Sequence, residues 1–431
     1  MKQFYKTFYY SFLLLLMALQ LRSQSITFSE LNYNSDSTTN SGNWVELYNY
    51  GSSQLDISNW VLKDADDLHT FTFPATTILM PGGRLAVTDD MVKFNAQHPL
   101  VFNYIGNLSF SFGNSGDQVR LFNNSGLLKV FMQYADSTPW PSAADGTGRT
   151  LELLDENQSP DSASNWFVGC MGGSPGTAFA PCDDPIVFGE INYNSDTLAD
   201  AGDWVELWNH STGSINLTGW SFKDSHDDNI YYIPANTQLA SDGRLVLVHD
   251  TALFFSRHPN VTNWAGPLSF NLSNGGELIR LFDYMGKLKF SVVYNDHGTW
   301  PPGANGDGYT LELLDAIGNM NTGTDWFTGC PEGSPGTAYD PDCNVGIGNV
   351  SDQQLTIFND ATGRSIVIEV PDNDFYAGEK ISVFNLIGEE VFSSVMNTNP
   401  FLLNTSKLAP GMYLVKLSNG KNYLTNKFIV P

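Results

Sequence analysis

Asn43-Trp44-Val45-Glu46-Leu47-Tyr48-Asn49 returns as Asp203-Trp204-Val205-Glu206-Leu207-Trp208-Asn209. Within each stretch Val and Leu alternate with Trp, Glu and a second large aromatic. One aliphatic face set against one face of polar-tipped groups reads as a β-strand with a side on a core. Working outward, the same offset of 160 carries residues 26–170 onto 186–330 without a gap. Trp60 falls on Trp220, and Lys63-Asp64 on Lys223-Asp224. Thr150-Leu151-Glu152-Leu153-Leu154-Asp155 returns intact from Thr310 to Asp315, and Ser174-Pro175-Gly176-Thr177 from Ser334 to Thr337. A unit of this length can bury a core of its own, unlike the short units of a solenoid.

Each copy reads as β throughout. Short runs of β-branched and aromatic residues at 26–33, 44–49, 83–87, 119–122 and 127–134 are separated by Gly, Asn, Asp and Pro clusters. Asn123-Asn124-Ser125-Gly126 is a hairpin turn, matched by Asp283-Tyr284-Met285-Gly286. Residues 91–97 and 252–257 are the two places where a short helix fits. Seven to nine short strands per copy favour an antiparallel sandwich. The fold class expected is therefore all-β: two immunoglobulin-like β-sandwiches in tandem and, from about residue 350, a smaller C-terminal β-sandwich.

The amino end has the charge order of a secretory signal: Lys2 and Lys6, then an apolar run from Phe8 to Leu19. That run is short for a membrane span, and no other stretch approaches one, so no membrane span is expected after signal cleavage. The expected organisation is a signal peptide over 1–24, repeat domains over 25–182 and 183–343, and a terminal domain over 350–431. Four cysteines sit in matching pairs, Cys170 with Cys182 and Cys330 with Cys343. The spacing suggests one disulfide per repeat in an oxidising compartment, each contributing about 3 kcal/mol in the chain-entropy picture. Zinc is the rival, but no His lies near either pair.

The chain carries a formal charge of −25, and the two repeat domains hold −10 and −16 of it. Such acidity repels a phosphate backbone, so nucleic acid is not an expected partner.

The repeats resemble the lamin tail domain family in its bacterial, secreted form. The resemblance rests on Glu30-Leu31-Asn32, on the Trp44 to Asn49 strand, and on Leu55-Asp56-Ile57-Ser58-Asn59-Trp60. It continues through Pro81-Gly82, Asp117-Gln118-Val119-Arg120-Leu121-Phe122, Asn165-Trp166 and Ser174-Pro175-Gly176. It implies an immunoglobulin-like sandwich. The heptad rod and basic import run of nuclear lamins are missing, so nuclear functions do not carry over. The end of the chain is similar to the type IX secretion sorting domain. Val383-Phe384-Asn385-Leu386-Ile387-Gly388, the run from Leu408 to Lys416, and Asn426-Lys427-Phe428-Ile429-Val430 carry that likeness, while Ile357-Phe358-Asn359-Asp360 stands where the family opens on Pro-Asn-Pro. It implies type IX secretion machinery as a partner, passage of the outer membrane, and a secreted or cell-surface location.

Candidate chemistry is thin. His98 and His258 are the only histidines in matching places, each before Pro, which suits a structural role better than catalysis. Glu30 with Glu46, and Glu190 with Glu206, recur on neighbouring strands. They could serve a glycosidase, or pair with Lys63 and Arg84 (Lys223 and Arg244 in the second copy), and the second reading is preferred. Trp44, Tyr48, Trp204 and Trp208 could meet a glycan, but burial under a neighbouring element is preferred. Loop oxygens at Asn32-Tyr33-Asn34-Ser35-Asp36 and around Asp64 to Asp67, with their copies, leave Ca²⁺ open as the one cofactor worth testing; no other cofactor and no catalytic residue is expected. The copies share turns, tryptophans, cysteines and ion-pair candidates, so the repetition marks fold-keeping residues and locates no chemistry. The expectation is an exported, non-enzymatic binding or scaffolding protein with an unidentified surface ligand; the alternatives are a calcium-dependent adhesin, a glycan-binding protein and, last, a secreted hydrolase. Thermal melts with and without chelator check the calcium alternative: an adhesin that uses Ca²⁺ shifts its midpoint, and an unchanged midpoint counts against it.

Overall fold

The computed structural model describes residues 26–341, 343, 355–359, 365–370, 378–385, 388–418 and 423–430. The expected signal peptide lies outside them. The chain divides into two compact units, one reaching to Tyr339 and one from Asp340 to Pro431.

The first repeat runs β1 (Ile26–Asn32), β2 (Trp44–Asn49), β3 (Leu55–Asp56), β4 (Val61–Lys63), β5 (Phe71–Thr72), β6 (Ile78–Leu79), β7 (Arg84–Thr88), α1 (Met91–Gln97), β8 (Tyr104–Gly106), β9 (Gly116–Phe122), β10 (Leu128–Ala135), β11 (Arg149–Leu153) and β12 (Trp166–Met171). A six-stranded sheet in the order β12-β11-β1-β2-β7-β8 faces a four-stranded sheet, β10-β9-β4-β5, with β3-β6 as a small ribbon beside them. Pairing is antiparallel except between β7 and β8. Phe28, Leu31, Val45 and Leu47 from the large sheet meet Leu62, Val119, Leu121 and Met132 from the small one in a single apolar core. The seven strands of five or more residues match the expected number; the additional strands are two- and three-residue pairings too short to leave an alternating pattern.

The second repeat lays down the same plan. Its large sheet runs Trp264–Ala265, Arg244–Val248, Trp204–Trp208, Val187–Asn192, Tyr309–Leu313, Trp326–Pro331, and a helix, α2 (Thr251–Arg257), stands where α1 stands. Each helix starts on an aspartate whose carboxylate accepts two backbone N–H groups, Asp90 from Val92 and Lys93, Asp250 from Ala252 and Leu253. Cys170 and Cys182 form a disulfide, and Cys330 and Cys343 are disulfide-bonded as well.

The repeats are joined by more than the chain. Arg149, at the start of β11, is buried against the second repeat, in the strand Leu288–Asn295. Its Nε and Nη2 donate to the Ser291 carbonyl at 3.3 and 3.0 Å, and its Nη1 donates to the Gly169 carbonyl at 3.1 Å. The guanidinium lies 5.3 Å from the Phe290 ring centre. Ser291 Oγ donates back to the Thr147 carbonyl at 2.8 Å, and the Leu288 N–H donates to Thr38 Oγ1 at 2.9 Å. Met171 packs on the second repeat's core. Gly148 makes the approach possible: with φ +83, it has Leu288 Cδ2 and Met171 Cε each 2.9 Å from where a Cβ would stand. Burial lowers Arg149 to about 10, against the pull of Asp184 and Asp325 in the other direction, so it stays charged at neutral pH.

The unit after Tyr339 has a three-stranded sheet, Thr356–Asn359, Ser365–Glu369, Phe401–Asn404, and a four-stranded one, Glu390–Met396, Glu379–Phe384, Gly411–Ser418, Tyr423–Val430. Ile366, Ile368, Val383, Val415 and Phe428 lie in its own core. It is the smaller sandwich expected from about residue 350.

Arg149→Met tests the junction. It leaves two buried carbonyls without a donor, which costs about 2–3 kcal/mol. The calorimetric midpoint of the two-repeat body should fall by about 5 °C, with unfolding of the sorting unit unmoved; an unchanged midpoint would show that the arginine holds nothing.

Candidate functional site

The side of the large sheet that faces away from the core carries a row of glutamates. Glu152, Glu30 and Glu46 stand side by side on β11, β1 and β2, Glu30 being register partner to both others. A register shift after Phe28 sets this up. The bulge at Ser29 lets Phe28 and Leu31 both enter the core while Glu30 turns to the opposite face. All three carboxylates are buried, Glu30 and Glu46 at 0% exposure. Glu190, Glu206 and Glu312 repeat the row, with Glu190 again in the centre.

The cover is the closing segment of the repeat, which supplies donors. Glu30 accepts from Thr150 Oγ1 at 2.8 Å and the Ser174 N–H at 2.9 Å. Glu152 accepts from Ser174 Oγ at 2.6 Å. Glu46 accepts from Ser29 Oγ at 2.7 Å, from Arg84 Nη1 at 2.8 Å and from the Gly176 N–H. Gly173 brings the segment this close: a Cβ there would stand 2.1 Å from Glu30 Oε1. Glu206 likewise accepts from Arg244 Nη1 at 2.6 Å and the Gly336 N–H at 2.7 Å. It lacks the third donor, because Gly189 stands where Ser29 does.

One arginine serves three buried acids, which favours the protonated form of the others. Burial, then repulsion from Glu152 and Glu46, pushes Glu30 well above the usual carboxylate range. Burial takes Glu152 to about 7. Burial also raises Glu46, against hydrogen bonds from Gly176 and Arg84. In the second repeat burial, joined by repulsion from Glu190, lifts Glu206 to about 8, and burial takes Glu312 to about 7. Raised acids can be catalytic acids. Carboxylates on neighbouring strands also stand near the spacing of a retaining glycosidase pair. Burial decides the matter: a glycosidic oxygen must reach the acid, and here the Ser174 to Gly176 segment occupies that side.

The preferred pairing of the glutamates holds for Arg84 and Arg244 and fails for the lysines. Lys63 reaches Asp67 at 3.6 Å and Lys223 reaches Asp227 at 3.7 Å, both on the loop four residues on. Those aspartates also take Arg120 and Arg280 at 3.0 and 2.9 Å. Glu152 and Glu312, the third member of each row, were visible only as part of a repeated motif.

The aromatic candidates separate in the same way in both copies. Trp44 and Trp204 are buried beneath the helices, 5.6 Å from Phe94 and 6.1 Å from Phe254 between ring centres. Tyr48 and Trp208 are half-buried, stacked on Arg84 and Arg244 at 4.1 and 4.5 Å. His98 packs edge-on against Trp44, and burial draws it down to about 4, so it is neutral. The candidate calcium loops carry hydrogen bonds of their own. Asn32 Nδ2 donates to Ser35 Oγ, Ser41 Oγ and the Gly42 carbonyl; Asp36 Oδ1 accepts from the Thr38 N–H at 2.7 Å; Asp64 meets His69 at 2.7 Å. Among the described residues no group of three His, Cys, Asp or Glu is arranged to hold a metal.

A sandwich repeated twice, each with a sealed carboxylate row, followed by a small terminal sandwich, defines a tandem β-sandwich protein. Residues 21–136 and 182–296 match the Lamin Tail Domain, and together they make up more than half the chain, which therefore belongs to the lamin tail domain family. Residues 361–431 match the Secretion system C-terminal sorting domain, which marks the protein for export by the type IX route to the cell surface or medium. Neither domain is a catalytic one. No curated protein matches. Among solved structures, a biofilm-associated protein BSP domain aligns over 94% of this chain and 81% of its own at 11% identity and TM-score 0.17. PorZ, a surface component of the type IX secretion system of Porphyromonas gingivalis, aligns over 94% and 51% at 10% identity and TM-score 0.16. An Amycolatopsis orientalis exo-chitosanase aligns over 57% and 26% at 16% identity and TM-score 0.14. Likeness this loose carries no functional argument.

The carboxylate row makes stability depend on pH with a definite sign. Acids raised from about 4.5 to 7–8 keep protons in the folded state that the unfolded chain releases, so stability falls as pH rises through that window. The buried histidines are shifted down and are uncharged in both states above about pH 7, where they add nothing. The melting midpoint should therefore fall as pH rises to about 8, and Glu152→Gln with Glu312→Gln should flatten the part of that slope below about pH 7. A midpoint that climbs with pH would contradict the protonated row.

Proposed function

We propose that this is an exported, non-enzymatic binding or scaffolding protein whose working part is the pair of lamin tail domains held as one body. The observation that carries the reading is the condition of the carboxylates. The raised glutamates, which in an enzyme would line a cleft, are sealed under the Ser174 to Gly176 and Ser334 to Gly336 segments and spent on hydrogen bonds that close each domain. The sorting unit supports delivery to the cell exterior, where a module of this kind meets polymers and neighbouring cells. Two modules on one chain gain avidity for a repeated ligand without new contacts.

The test uses Glu46→Gln with Glu206→Gln in the full chain. Incubated with polysaccharide and peptide libraries, wild type and variant should both leave substrates uncut. Hydrolysis by wild type that the variant loses would overturn the reading. Mass spectrometry of medium and outer-membrane fractions then follows the protein's fate: peptides from beyond residue 344 missing from mature material would show that the sorting unit is removed.

A further inference from the structure

The two copies differ most tellingly at one place. Between the repeats lies a cavity of about 370 Å³. The first repeat supplies its floor, including Ser35, Thr39, Ser41, Gln97, His98 and Gly172. The second repeat and the segment leading into it supply the roof, including Asp184, Ile186, Trp220, Leu288 and Lys289. The corresponding floor on the second repeat has only about 10 Å³ of space. There Thr39 and Ser41 are replaced by Ala199 and Ala201, Gln97 by Arg257, and Gly172 by Glu332. Arg257 and Glu332 form an ion pair, with Nε 3.1 Å from Oε2. One copy thus carries hydroxyls, an amide and an open glycine; the other carries methyls and a salt bridge across the same ground.

Both copies leave a buried histidine nitrogen unpaired, His98 Nε2 and His258 Nε2, but the open copy places Asp184 Oδ2, also buried without a hydrogen-bond partner, at the same cavity. A Cβ on Gly172 would stand 3.9 Å from His98 Cε1, so a side chain there would close that end of the cavity. Buried polar atoms left unpaired are costly, and a ligand that pairs with them recovers the difference. The lining mixes hydroxyl and amide groups with Trp220, Ile186 and Leu288, and its charged groups are one acid, Asp184, and one base, Lys289. A fixed ligand charge has no majority partner here. A hydroxyl both donates and accepts, so it answers a carboxylate oxygen and an imidazole nitrogen alike. The volume is at the small end of the about 300–1,000 Å³ typical of small-molecule sites.

We propose that the junction cavity is a binding site for a neutral saccharide of one or two rings, held by the first repeat's polar floor and roofed by Trp220 and its neighbours. The site exists only while the repeats are docked. It rests on the reading of the chain as a binding protein and gives that reading a ligand class.

Repeat two supplies the test. Gln97→Arg with Gly172→Glu rebuilds its ion pair on repeat one, and Glu332 already shows that a side chain fits this backbone, at φ +65 against +79 for Gly172. The full chain is titrated with glucose, galactose, mannose, N-acetylglucosamine and their β-1,4 disaccharides, followed by saturation-transfer NMR and calorimetry, with glycine and glutamate as zwitterion probes. The expected result is binding of at least one sugar by wild type and at least a tenfold loss in the double variant, with its melting midpoint held. Binding of no sugar, binding of the amino acids alone, or sugar binding that survives the double variant would each overturn the cavity proposal. Sugar binding that survives leaves the binding-protein reading standing, whereas cleavage of a disaccharide during titration would bring down that reading itself.

Discussion

Arg149 crossing from the first repeat onto the Ser291 carbonyl of the second is the contact on which the rest of the two-repeat body depends. A buried guanidinium is tolerated only where its donors are met, and here they are met by carbonyls from both repeats. With the Ser291–Thr147 and Leu288–Thr38 hydrogen bonds beside it, that fixes the relative placement of the two domains. It brings Met171 onto the neighbouring core and creates the cavity between them. Without the docking of the repeats this cavity, lined from both, would not exist.

The same contact explains why the pairing stops at two. The docking face of repeat one is built from Thr38, Thr147, Arg149 and Met171; at the same places repeat two has Leu198, Asp307, Tyr309 and Pro331. The receiving strand carries Phe290 and Ser291, where repeat one has Val130 and Phe131. A head-to-tail contact between identical units would propagate into a filament. Here the exposed ends lack the arginine on one side and its aromatic and hydroxyl partners on the other, so a further repeat finds no matching face.

Much of this was legible in the sequence, and what was missed was missed for physical reasons. Strand alternation set the core face of β2 correctly, because apolar and polar residues must part at a sheet with one dry side. Helix α1 fell where its pattern put it, and the family resemblance named the sandwich. The third glutamate of each row escaped notice because Glu152 and Glu312 lie far along the chain from their partners, and only β11 pairing with β1 brings them together. Lys63 was assigned to a glutamate across the sheet, yet a flexible ammonium finds the nearer loop acid Asp67 first. The junction escaped for a deeper reason. The matched residues mark the fold and locate no chemistry, and the docking residues are not among them. Arg149 against Tyr309, and Gly172 against Glu332, carry the interface and the cavity, and both are mismatches. Shared residues in a duplicated chain keep the fold; the differences mark where the copies took separate tasks.

The central claim is that the two lamin tail domains are one body, with the cavity as its product. Nitroxide labels at Ser52 and Thr212, exposed and equivalent in the two repeats, measure it directly by pulsed electron resonance on the full chain. The account predicts a single narrow distance distribution that broadens when Arg149 is replaced by Met. A broad distribution in the unaltered protein would contradict it.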